Sequence, residues 1–75
     1  MRKSEAESLK FGSKVHYIPF KGCDITQFEN GKVKETSLLD EGSVRVVYHC
    51  AGEWNKFENY TGALTKIENL KLGWV

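Results

Sequence analysis

His16, Cys23, His49 and Cys50 are the side chains of this 75-residue chain with the chemistry of metal ligands or nucleophiles. In number and type they match a tetrahedral zinc set, yet no Cys-x-x-Cys or His-x-His pair occurs among them. His49 and Cys50 are neighbours in an alternating stretch, so their side chains are expected on opposite faces of a strand. A nucleophilic thiol needs a base within hydrogen-bond reach and donors for an oxyanion, and strand neighbours supply neither. Asp24, Glu29, Asp40 and Glu41 fall in turn-like segments, where solubility and turn geometry account for carboxylates. No catalytic residue, metal ligand or cofactor is assigned. The residue types point to non-covalent binding rather than to an enzyme.

Two other sets suit binding. Tyr17, Trp54, Phe57 and Tyr60 could line a groove for an extended peptide or a cage for a cation, with Asp24, Glu29 and Glu53 as an acidic rim. Some of these rings could equally fill the ends of a small core. Lys14, Lys32, Lys34 and Arg45 could form one basic stripe for nucleic-acid phosphates, or a solvated face with edge-protecting lysines. Eleven Lys and Arg against ten Asp and Glu give a net charge of +1. A dedicated nucleic-acid binder shows a clearer basic excess, so a protein or peptide partner is the first expectation and nucleic acid the alternative. Oligomeric state is left open by the sequence.

The element that must position these residues is Ser43–Gly52, SVRVVYHCAG. Val44, Val46, Tyr48 and Cys50 alternate with Ser43, Arg45, Val47 and His49, the period of a half-buried strand. Ser13–Ile18 predicts the strand before it, ended by Pro19. Phe20–Glu29 is a long connection. Asn30-Gly31 has the composition of a type I′ turn, and Lys32–Leu39 reads as a second strand bent between Val33 and Leu38. Asp40-Glu41-Gly42 suits a bulged hairpin. Lys56–Thr61 predicts a fourth strand, Thr65–Glu68 a capping box opening a single 3₁₀ turn, and Leu70–Trp74 a fifth strand. Residues 1–12 form a polar leader in which Ser4 and Glu7 have capping-box spacing; a short helix docked by Phe11 and a frayed tail both fit it. Residues 13–75 form one small domain with an expected core of Val15, Val33, Val44, Val46, Ile67, Leu70 and Leu72.

Gly12-Ser13-Lys14-Val15, Asn30-Gly31-Lys32-Val33, Val44–Tyr48 and Leu70-Lys71-Leu72 give an order of elements that is similar to the small Src-homology-3-like barrels, Tudor and KOW modules among them. The resemblance implies an all-β, five-stranded barrel closed by its last strand, and a habit of binding peptides or nucleic acids. Lys14–Pro19, Val47-Tyr48-His49-Cys50 with Trp54, and Leu70–Trp74 also resemble small bacteriophage and prophage proteins, which implies action on a host protein. Met1–Glu7 leads into no apolar run of the signal-peptide type and no segment is long and apolar enough to span a membrane, so a cytoplasmic protein with reduced thiols is expected.

Overall fold

The computed structural model describes residues 1–75. Five antiparallel strands form one sheet: β1 (Lys14–Tyr17), β2 (Glu29–Glu35), β3 (Ser43–Val47), β4 (Ala63–Lys66) and β5 (Leu70–Leu72), in the spatial order β4-β3-β2-β1-β5. A single helical turn, α1 (Lys3–Ala6), precedes them, and 3₁₀ turns occupy Ile25–Gln27, Leu39–Glu41, Trp54–Asn59 and Ile67–Asn69. The all-β class, five strands and the 3₁₀ turn before the last one are as the sequence predicts. Closure is not. β5 pairs with β1 and β4 with β3, but β4 and β5 share no ladder, so the sheet is open. The turn between them accounts for this. Its amides and carbonyls go elsewhere, the Ile67 amide to the Gly42 carbonyl and the Asn69 carbonyl to the Ile18 amide, so no backbone pairing joins the two edges.

Alternation along the strands sorts side chains onto two faces, and both are covered. On the first, Val15, Val33, Val44, Val46, Ile67 and Leu70 are buried as the sequence predicts, and Ala6 and Leu9 of the leader join them. α1 starts one residue before the expected cap, with Glu5 rather than Glu7 reaching back to accept from the Arg2 amide. A single helical turn is not stable alone. Here Ala6 and Leu9 hold it by burial, and the Met1 ammonium donates to the Ile67 and Leu70 carbonyls, both at 2.6 Å. Phe11 is 63% exposed and instead rests on Phe57, with ring centroids 4.8 Å apart. Leu72 shares the face of Leu70 but is 49% exposed, because it lies at the uncovered end of an edge strand.

On the second face Val47, Cys50 and Phe57 form a smaller core with Trp54 and Tyr60 against it. Cys50 changes sides relative to the expectation because β3 ends at Val47, and strand alternation ends with it. Ala51 and Gly52 follow with φ of 52° and 79°. This pair of left-handed residues returns the chain over the sheet. Residues 56–61 are then a 3₁₀ turn and an extended exit instead of a strand, and the fourth strand starts at Ala63.

Asn30-Gly31 is not a turn. Both residues lie inside β2, where Gly31 pairs with Val15. A Cβ on Gly31 would sit 2.6 Å from Val46 Cγ1, 2.8 Å from the Val47 carbonyl oxygen and 2.9 Å from Tyr48 Cδ1. Glycine is there for close approach and not for positive φ. β2 stops at Glu35, and Leu38 and Leu39 fall in the following turn, while the bend appears as a register shift between Val33 and Glu35.

Two substitutions test this packing by urea denaturation. Gly31→Ala should lower stability by about 1–3 kcal/mol, since backbone as well as side chains must move. Leu9→Ala should cost about 2–3 kcal/mol, and an unchanged midpoint would mean that the leader contributes nothing to the core.

Candidate functional site

The groove of greatest volume, about 520 Å³, is lined by Tyr17, Tyr48, Leu64 and Thr65, with Glu29 and His49 beside them. Tyr17 ends β1 and Tyr48 follows β3, so the two rings meet where the first long connection departs and the β3–β4 connection begins. Their centroids are 5.9 Å apart in an edge-to-face arrangement. The Tyr48 hydroxyl lies 2.9 Å from Thr65 Oγ1, and Thr65 in turn donates to the Ala63 carbonyl. Thr65 is therefore a strand residue that fixes a tyrosine, not a helix cap. Burial is the chief cause that pushes the Tyr48 hydroxyl up to about 12, with Tyr17 and Glu29 adding to the shift and the Thr65 hydrogen bond partly offsetting it. Glu29 and His49 stand 3.5 Å apart at the rim. Beside them β4 is an edge strand, with Leu64 54% exposed.

The aromatic residues singled out in the sequence divide between the faces. Tyr17 lines the groove. Trp54, Phe57 and Tyr60 lie on the other face, where Phe57 is core and the other two lean against it. Asp24 is exposed and makes no side-chain hydrogen bond or ion pair. Glu53 accepts from the Tyr60 hydroxyl at 2.7 Å, and this bond is the main cause that raises the Tyr60 titration. Tyr48 supplies the ring that the sequence assigned only to the core face. No local signal marks it, because alternation places it on the core face without showing where the cover over that face ends.

Lys14, Lys32, Lys34 and Arg45 share the second face with Trp54, Phe57 and Tyr60, so the two sets treated as alternatives in the sequence meet there. Lys34 Nζ donates to the Tyr60 carbonyl at 2.6 Å and Lys32 Nζ to that of Trp54 at 3.4 Å. Arg45 Nε stands 3.5 Å from Glu35. Trp74 joins them, its indole nitrogen donating to the Gly31 carbonyl at 2.8 Å and its ring 4.9 Å from that of Trp54.

The potential ligands and nucleophiles are dispersed. Cys50 is buried against Val47 and Phe57, His49 faces solvent beside Glu29, and His16 donates from Nδ1 to the Gly73 carbonyl at 2.9 Å while stacked on Phe28. Cys23 and Cys50 are both free thiols. No group of three or more His, Cys, Asp or Glu side chains converges as a metal site would require, and no helix is long and apolar enough to cross a membrane. No family model, curated protein or solved structure matches the chain.

Tyr48 makes the groove's packing sensitive to alkali. Its pKa rises on folding from 10.0 to about 12, so its contribution to stability is whole below pH 10 and is lost as pH climbs toward 12. Tyr48→Phe should reduce that alkaline loss, leaving the part that comes from Tyr60, and should cost about 1 kcal/mol at neutral pH for the missing Thr65 bond. Urea midpoints measured from pH 7 to pH 12 read both effects, and an identical pH profile for the variant would exclude Tyr48 as a source of the loss.

Proposed function

We propose that the chain is a non-enzymatic protein-binding module, and that the groove at Tyr17 and Tyr48 receives an extended segment of a partner protein. The observation that carries this reading is the groove's position beside an unpaired strand edge. A segment laid along β4 would gain main-chain hydrogen bonds from that edge, while alternate side chains entered the groove or lay over Leu64. Strand pairing supplies affinity and the pockets supply specificity. Tyrosines suit the second task, because each offers apolar area, a polar tip and little rotamer freedom to lose. Tyr48 is further held by Thr65. Glu29 is paired only with an exposed histidine, a contact worth little by itself, so its carboxylate is available to a donor on the incoming segment.

The strand order, with β5 returning beside β1 after a 3₁₀ turn, supports reading the sheet as an open variant of the Src-homology-3-like arrangement. Such folds host many functions, so the reading rests on the groove and not on the architecture.

Peptides selected from a random display library against the folded chain test it. Selected peptides should lose at least about tenfold in affinity against Tyr17→Ala and against Leu64→Lys, with circular dichroism unchanged, since buried aromatic and apolar anchors carry most binding energy. Binding should vary little between low and moderate salt. Peptides that bind Tyr17→Ala as well as the parent chain, or a library that yields none, would refute the groove.

A further inference from the structure

Lys14 and Lys32 are directly opposed across β1 and β2, on the sheet face away from Tyr17. Like charges facing each other across a ladder destabilise it. Lys34 follows on the same face. None of these three lysines forms an ion pair, whereas Arg45 beside them does. What surrounds them is aromatic. Lys14 Nζ lies 4.7 Å from the centre of the Trp74 ring and Lys32 Nζ 5.4 Å from that of Phe57. Trp54 and Trp74 are both half-buried, and together they form a ridge against this cationic row.

We propose that this face, centred on Lys14, Lys32, Trp54 and Trp74, binds single-stranded nucleic acid. Lys14 and Lys32, in register on neighbouring strands about 4.8 Å apart, set two cations side by side on one face, where a polyanion can meet both. An ammonium has three donors; Lys32 and Lys34 each spend one on a carbonyl of the 54–60 segment and retain two for an anion. The half-buried indole of Trp74 is held by its bond to Gly31, so its orientation is set before a base arrives. Stacking on such rings requires unpaired bases and tolerates any sequence, which selects single strands over duplex. Lys32 also fastens the covering segment through the Trp54 carbonyl, but two lysines opposed without a counter-charge cost the ladder stability, and a polyanion would relieve that cost. This surface is independent of the groove proposed above, whose tyrosines lie on the other face.

The chain holds two tryptophans, and both belong to this ridge, so tryptophan fluorescence, excited selectively over tyrosine, reports on it alone. Titration with a short oligothymidylate should quench that fluorescence saturably. With about three phosphates neutralised, log affinity should fall with log salt at a slope of about −2. The double variant Lys14→Gln, Lys32→Gln should bind at least about tenfold more weakly with a shallower slope. Its circular dichroism should match that of the parent chain, since relief of the repulsive pair offsets loss of the Lys32 bond to the Trp54 carbonyl. Tyr17→Ala should bind the oligonucleotide as the parent does. The proposal fails if no quenching occurs, if the double variant binds unchanged, if duplex DNA of the same length binds equally well, or if polyglutamate quenches to the same extent. The last result would make the face a site for acidic proteins.

Discussion

The missing side chain at Gly31 is the constraint on which the rest of the structure depends. At that point in β2, the space a Cβ would fill is already held by Val46, the Val47 carbonyl and the ring of Tyr48. The approach lets Val46 enter the first core and lets Tyr48 fold over β2 until it meets Tyr17 of β1. A side chain at residue 31 would separate the tyrosines and open the core at the same stroke. The carbonyl of the same residue accepts from Trp74 on the opposite face, so both candidate surfaces are referenced to one backbone position.

A chain of 75 residues can bury only about 60% of its unfolded surface, which makes covering both faces of a sheet demanding. The solution divides the work. Ala6 and Leu9 of the leader with Ile67 and Leu70 cap one face, and the 50–60 segment with Phe57 caps the other. β3 serves both, sending Val44 and Val46 one way and Val47 the other. The lysines on the second face are structural as well as cationic, since Lys32 and Lys34 fasten the covering segment by its carbonyls. Charge neutralisation there would alter the fit of that segment as well as the field at the surface.

Much of this was legible in the residues. The alternation of Val44 and Val46, the left-handed Gly42 and the 3₁₀ turn before Leu70 are local features, set by strand period and turn chemistry, and the structure keeps them. Asn30-Gly31 was misleading because glycine answers two different needs, positive φ and absent volume, and only the fold says which applies. The open barrel, the exposed Leu72 and the docked leader all depend on which segments meet across the sheet, a matter of tertiary packing that no local pattern encodes. The turn after β3 runs through left-handed Ala51 and Gly52, of which only the glycine carries a composition signal.

The candidate site residues divide along the same line. Tyr17 could be named from its place beside the long connection, but Tyr48 could not, because the alternation that put it on the core face does not reveal where cover ends. Lys14, Lys32, Lys34 and Arg45 could be assigned to neighbouring strands from their sequence positions. That Trp54 and Trp74 would stand among them required the return of the 50–60 segment and of the chain's last residues over one face. Aromatic and cationic residues read as rival sites in the sequence, whereas folding leaves Tyr17 on one face and brings Trp54, Phe57 and Tyr60 together with the cations on the other. Two tyrosines with an open strand edge face one way, and two tryptophans with unpaired lysines face the other. One surface sets phenols beside a carboxylate at an open strand edge and the other sets indoles beside ammonium groups, so the two proposed ligands differ in charge.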